Sequence, residues 1–151
     1  MRQTTLGFII QNWKILLAMK KRGFWEWKYN WFWWKLELWE TVEQAMIREA
    51  NEEIWINILD QEKIWILNFY FKENKDWNQS VHIFFINKFS WEIEESEEMK
   101  PYWFELDKIP YNEMWKDDKI WLPEVLWWNK EIEYNFFFDK NWKLASYKKL
   151  K

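Results

Sequence analysis

Tryptophan stands in this chain where a folded chain ordinarily uses glycine. Of 151 residues, 17 are Trp and 2 are Gly, whereas an average domain of this length carries about ten glycines. Tight turns, helix stops and close approaches of backbone to ligand all draw on glycine's access to positive φ. The stretch from Gly23 to Glu40, GFWEWKYNWFWWKLELWE, holds six indoles. Trp34 breaks the two-residue alternation of Trp25, Trp27, Trp31 and Trp33, and no 3.6-residue period buries all six on one face. With glycine at those positions, the same stretch reads as a glycine-rich loop leading into an acidic helix.

Length and charge set the outer bounds. A chain of 151 residues is large enough for one core, so residues 1–151 are expected to form a single domain. The net charge is −3 and basic residues form no long run, which argues against a nucleic-acid polymer as partner. No cysteine is present, so a disulfide framework and a thiolate metal site are both excluded. The N-terminal residues lack a signal peptide's apolar region. No apolar run reaches the roughly 18 residues of a membrane span. A cytoplasmic monomer, away from membranes, is the expectation.

Local patterning gives a coarse map. Residues Leu6–Ile10 and Lys14–Met19 read as a hairpin around Asn12-Trp13, where Asn-Gly would be a preferred turn. Thr41–Ile54 reads as a helix, with Thr41 and Gln44 spaced as a capping box. Ile64–Phe71 and Val81–Phe89 are apolar and aromatic enough for strands. Glu92–Met99 reads as an acidic loop and Tyr102–Leu106 as a short strand. A second helix is expected over Pro123–Asn129, with Pro tolerated in its first turn. Ile132–Phe138 and Lys143–Tyr147 read as a closing hairpin around Asn141-Trp142. Strands flanked by two helices predict an α/β fold, an α/β/α sandwich with a mixed central sheet.

The predicted first helix carries an unusual charge pattern. Glu49, Glu52 and Glu53 fall at i, i+3 and i+4, within a sector about 100° wide. Three like charges on one strip repel unless something compensates them. A solvated acidic face is the ordinary alternative. Carboxylate oxygens without His or Cys suit a hard cation, Mg²⁺ or Mn²⁺. His82, the one histidine, lies within an apolar strand and reads as structural.

The segment Trp34–Ile56 resembles the Nudix box, Gly-x5-Glu-x7-Arg-Glu-U-x-Glu-Glu-x-Gly-U, where U is aliphatic or small. Glu40, Arg48-Glu49, Ala50, Glu52-Glu53 and Ile56 match. Trp34 and Trp55 stand at the two glycines. Outside the box, Met19–Phe24, Asn30, Glu97–Pro101, Trp103-Phe104 and Met114–Asp118 are similar to the branch that hydrolyses oxidised purine nucleoside triphosphates. The resemblance implies the Nudix fold. It also implies Mg²⁺-dependent hydrolysis of substrates such as 8-oxo-dGTP to a monophosphate and pyrophosphate, in sanitation of the nucleotide pool.

On that resemblance Glu49, Glu52, Glu53 and Glu98 would hold the metal. Glu53, Glu49 or Glu98 would take the proton from the attacking water, and Arg48 would orient the carboxylates. Asn30, Asp117 and Asp118 would read the purine edge, Trp115 would stack on the base, and Phe24, Phe69 and Phe71 would line the walls. Thr5 would join the pocket and Lys20 would meet phosphate. Asp118 as a helix or turn cap, and Phe69 and Phe71 as core residues, are the plainer alternatives. Other Nudix substrates, such as dinucleoside polyphosphates or ADP-ribose, form the runner-up.

The misplaced indoles fit a decoding difference. Some bacterial lineages read UGA as glycine and others as tryptophan. A gene of the first kind, translated by the second table, shows Trp at each UGA-encoded glycine. On that reading Trp103, Trp115 and Trp121 are genuine. If the Trp residues are instead real throughout, a catalytically dead nucleotide-binding module is the expectation, because indoles in such loops collide with a ligand.

Overall fold

The computed structural model describes residues 1–21, 28–97, 99–127 and 131–151, without the side chains of residues 20 and 32–34. In chain order, β1 (Arg2–Phe8), β2 (Ile10–Gln11), β3 (Lys14–Lys20), β4 (Tyr29–Asn30) and β5 (Phe32–Lys35) precede helix α1 (Val42–Ile54). Two long strands follow, β6 (Asn57–Phe71) and β7 (Gln79–Ser90), then β8 (Met99–Glu105). Helix α2 (Asp118–Leu126), β9 (Ile132–Phe138) and β10 (Leu144–Lys149) complete the fold.

The central sheet has six strands in the order β10-β9-β6-β7-β1-β5. It is mixed: β1 runs parallel to β7 and β6 parallel to β9, and the other pairs are antiparallel. A second sheet is built on β3, which pairs with β2, β4 and β8. Period-two alternation distributes strand residues between two apolar clusters. Val81 and Ile83 of β7, with Ile15 and Leu17 of β3, join Trp121, Leu122 and Val125 of α2. Phe84 and Ile86, with Leu16 and Ala18, join Met46, Ala50 and Ile54 of α1. The helices therefore serve opposite clusters, and the mixed α/β architecture expected from the sequence is present.

Two local expectations are corrected. The first hairpin does not take in Leu6–Phe8. Ile10 and Gln11 pair with β3 and the Ile9 carbonyl accepts from Leu16 N–H at 3.0 Å, while β1 lies between β7 and β5 in the other sheet. Five consecutive residues of β1, Thr4–Phe8, are buried, as a strand covered on both faces requires, and the chain changes sheet at Ile9. The second helix begins at Asp118, and Pro123 lies inside it. Pro123 there removes one backbone donor, a cost a nine-residue helix bears because Trp121, Leu122 and Val125 are buried.

Helix α1 forms for the reasons visible in its sequence. Thr41 Oγ1 accepts from Gln44 N at 3.2 Å and Gln44 Oε1 accepts from Thr41 N at 2.9 Å, closing the capping box. Ala45, Met46, Ala50 and Ile54 are its buried residues. It stops at Trp55, whose φ of 61° is left-handed, the conformation in which helices commonly end on glycine. Gly7 of β1 sits beneath this helix. A Cβ there would stand 2.8 Å from Met46 Sδ and 2.9 Å from Ile86 Cδ1, so any larger residue must displace those side-chain ends.

Seven non-glycine residues among those described have positive φ: Asn12, Trp13, Trp39, Trp55, Trp91, Glu131 and Trp142. For an L-residue this region costs about 1–2 kcal/mol.

Candidate active site

The box residues converge on one face of the molecule. Arg48 is the hub. Its Nε and Nη2 donate to the two oxygens of Glu40 at 2.8 and 2.9 Å. Its Nη1 donates to Glu49 Oε1 at 2.7 Å and to Glu52 Oε2 at 3.2 Å, and Nη2 also reaches the Lys35 carbonyl at 3.4 Å. The guanidinium hydrogen bond holds the Glu40 carboxyl below its usual range. The Arg48 guanidinium is raised, first by the bond to Glu40 and also by Glu49.

An open groove of about 980 Å³ lies beside this hub, lined by Lys21, Glu49, Glu52, Glu53, Trp55, Glu95, Ser96 and Glu97. Glu49, Glu52 and Glu53 are thus brought together as the sequence predicted. Lys21 was not foreseen: its Nζ donates to the Ser96 carbonyl at 2.7 Å and pairs with Glu95. The sequence reading chose Lys20, whose side chain is outside those described. Glu95 and Glu97 were hidden within an acidic run that gave no reason to single them out. Glu98 itself lies outside the described residues, as does Phe24. Among the described residues no group of three or more His, Asp or Glu side chains is closed into a ready metal cage. The donors nevertheless fit a hard divalent cation: among the described residues, five carboxylates line a groove with one lining cation, Lys21.

The second cluster is buried. Asp117 and Asp118, at the start of α2, are only 3% and 2% exposed. Asp118 Oδ1 accepts from Trp31 Nε1 at 2.8 Å and Oδ2 from the Trp115 backbone N–H at 3.0 Å. Asp118 thus does serve as a turn cap, while also facing the core. Asp117 Oδ2 accepts from Trp121 Nε1 at 3.3 Å; Oδ1 is buried with no hydrogen-bond partner. Burial raises both carboxyls, Asp117 to about 6, and the neighbouring Asp117 charge raises Asp118 further. Such a pair does not ionise fully at the usual carboxylate pH.

The other pocket candidates divide. Thr5 is fully buried and its Oγ1 lacks a partner. Asn30 is half-buried on β4, and its Oδ1 accepts from the Trp31 backbone N–H at 2.8 Å. Trp115 is half-buried and adjoins the acids through its backbone. Phe69 and Phe71 stack on Phe138 of β9, with centroids 6.1 and 5.1 Å apart, packing that a core aromatic ladder explains. The Trp31 indole was missed as a contributor. It is fully buried, set edge-on to Phe8 and tilted against Trp121, with centroids 6.1 and 5.5 Å away. His82 is structural, its Nε2 lying 2.6 Å from Gln3 Oε1.

The NUDIX domain family matches residues 1–125. An oxidized purine nucleoside triphosphate hydrolase from Danio rerio is 42% identical over 122 residues, 81% of this chain and 78% of that protein. The protein of that name from Mus musculus is 38% identical over 125 residues, 83% and 80% of the two chains. In structure, the fold is similar to a mutator MutT protein from Bacillus halodurans, with a TM-score of 0.86 and 22% identity over 99% of this chain and 98% of that one. Carrying the Glu40–Arg48–Glu49 network on a capped helix, and matched over most of its length, the chain belongs to the Nudix family.

Proposed function

We propose that this enzyme hydrolyses oxidised purine nucleoside triphosphates of the 8-oxo-dGTP type to the monophosphate and pyrophosphate, clearing them from the nucleotide pool. The observation that carries this reading is the buried Asp117–Asp118 pair in the same chain as the acidic groove of α1. One carboxyl that keeps its proton can donate while its neighbour accepts. A pair of that kind suits a purine whose hydrogen-bonding edge has been altered by oxidation. The relatives from Danio rerio and Mus musculus carry the corresponding name.

Glu49, Glu52 and Glu53, with Glu98, would hold Mg²⁺ or Mn²⁺. When bound, the cation neutralises charge that develops on the phosphate oxygens. Arg48 fixes Glu49 and Glu52 in place through the contacts described. Water attacks a phosphorus of the triphosphate, its proton passes to Glu53, Glu49 or Glu98, and pyrophosphate leaves. Lys20 meets phosphate. Asn30, Asp117 and Asp118 read the base, Trp115 stacks on it, and Thr5, Phe24, Phe69 and Phe71 complete the pocket. The partner is a small nucleotide, not a nucleic-acid polymer, and the enzyme works as a cytoplasmic monomer. Among the described residues no helix is long and apolar enough to cross a membrane.

The test is pyrophosphate release with Mg²⁺ from 8-oxo-dGTP, dGTP and ADP-ribose, beside a Glu53→Gln control. Preference for 8-oxo-dGTP is expected, with a loss of 10²-fold or more in the control. Preference for ADP-ribose would overturn the substrate assignment and leave the family standing.

A further inference from the structure

We propose that positions 13, 39, 55, 91 and 142 are glycine in the protein its own cells make, encoded there by UGA codons read as glycine. Backbone geometry carries this, whatever substrate the groove takes. Tryptophan is 17 of 151 residues, so about one in nine. Yet among the seven described non-glycine residues with positive φ, five are tryptophan. A bulky residue in that region is a genuine outlier, and the exceptions are mostly Asn and Asp, of which Asn12 is one.

Four of the five positions, 13, 39, 55 and 142, belong to turns that ask for glycine. Asn12 and Trp13, at φ 50° and 59°, join Gln11 to Lys14 in the β2–β3 hairpin. Two successive positive φ values mark the hairpin turn for which Asn-Gly is preferred. Trp39, at φ 70°, precedes Glu40, whose N–H donates to the Glu37 carbonyl at 3.3 Å. It occupies the third position of that turn, where positive φ favours glycine. Trp55 ends α1, and its N–H donates to the Ala50 carbonyl, the usual glycine stop. Trp142, at φ 60°, lies in the β9–β10 turn between Asn141 and Lys143, whose N–H groups both donate to Asp139 Oδ1.

The side chains offer no compensating reason for tryptophan. Trp13, Trp39, Trp55 and Trp91 are 82%, 100%, 55% and 66% exposed, so they bury little in exchange for the strain. Trp142 alone of the five rests on other rings, those of Phe71 and Trp77. Trp121 is the contrast. It is 1% exposed, donates its indole N–H to Asp117 and is not among the left-handed residues. It behaves as a genuine core tryptophan.

Peptide mapping by mass spectrometry of the protein purified from its own cells tests the assignment. Glycine at 13, 39, 55, 91 and 142, with tryptophan at 121, is expected; tryptophan at those five positions, or UGG codons there, overturns it. A second measurement needs no native source and no activity. The chain as written and a variant carrying all five Trp→Gly changes are produced in a host that inserts tryptophan for UGG, and their melting midpoints compared. A rise on the order of 10 °C is expected for the variant. An unchanged or lower midpoint would overturn the proposal. Trp121→Gly, made alongside, should lower the midpoint.

Discussion

Both oxygens of Glu40 accept from the guanidinium of Arg48, at 2.8 and 2.9 Å, across a separation of eight residues. The fork ties the turn before α1 to the middle of the helix. Arg48 holds Glu49 and Glu52 at the same time, so one cation orders three carboxylates. Glu40→Gln keeps the shape and removes the charge-assisted bonds. It should cost about 1–3 kcal/mol in urea unfolding. Arg48→Lys should cost at least as much, because an ammonium cannot form the planar fork. A double-mutant cycle showing no coupling between 40 and 48 would contradict this account.

The groove carboxylates make a divalent cation a stabilising ligand. At concentrations a hundredfold above its Kd, Mg²⁺ should add about 2.7 kcal/mol to stability, seen as a melting shift of several degrees. Glu52→Gln and Glu53→Gln should each weaken that response, and EDTA should abolish it. An equal shift from added NaCl would mean general screening and no site.

Asp117 sets a pH dependence of stability. Its folded carboxyl lies at about 6, above the value of about 4 in an unfolded chain. The folded state therefore binds the proton more tightly. Stability from this group is full below about pH 4 and is lost as pH rises through about 6. The loss is on the order of 2–3 kcal/mol. Asp117→Asn should reduce the slope of this limb without abolishing it, because burial raises Asp118 as well, measured by urea unfolding at about pH 4.5 and about pH 7. The same slope in the variant would assign the titration elsewhere.

Trp31 should show stability and affinity moving in opposite directions. Its indole fills buried space against Phe8 and Trp121 and donates to Asp118. Trp31→Ala should cost about 3–5 kcal/mol in unfolding. It also removes the indole donor from Asp118 Oδ1 and frees that oxygen for a ligand, so calorimetry should show tighter binding of 8-oxo-dGMP. A parallel fall in affinity would show that the indole supports the site instead of filling it.

What the sequence disclosed depended on how local the determinant was. Helix α1 was readable because Thr41 with Gln44, and Ala45, Met46, Ala50 and Ile54, act within a few residues of one another. The convergence of Glu49, Glu52 and Glu53 follows from helical spacing alone. The sheet change at Ile9 was not readable, because it depends on β1 pairing with residues near 32 and 80. Lys21 and Glu95 meet across more than seventy residues, and neither position advertises the other. The depth of Asp117 and Asp118 likewise rests on Trp31 and Trp121 closing over them, whereas a pair of aspartates in isolation reads as surface.

Gly7 sets the thickness of the layer beneath α1. The helix approaches the sheet until Met46 Sδ stands 2.8 Å from where a Cβ at position 7 would be. A single added methyl must therefore lift the helix or displace Met46 and Ile86. Glu49, Glu52 and Glu53 ride on that helix, while Glu95 and Glu97 face them from a separate loop. A residue with no side chain, outside the groove lining, thus leaves Met46 and Ile86 room to pack between that helix and the sheet.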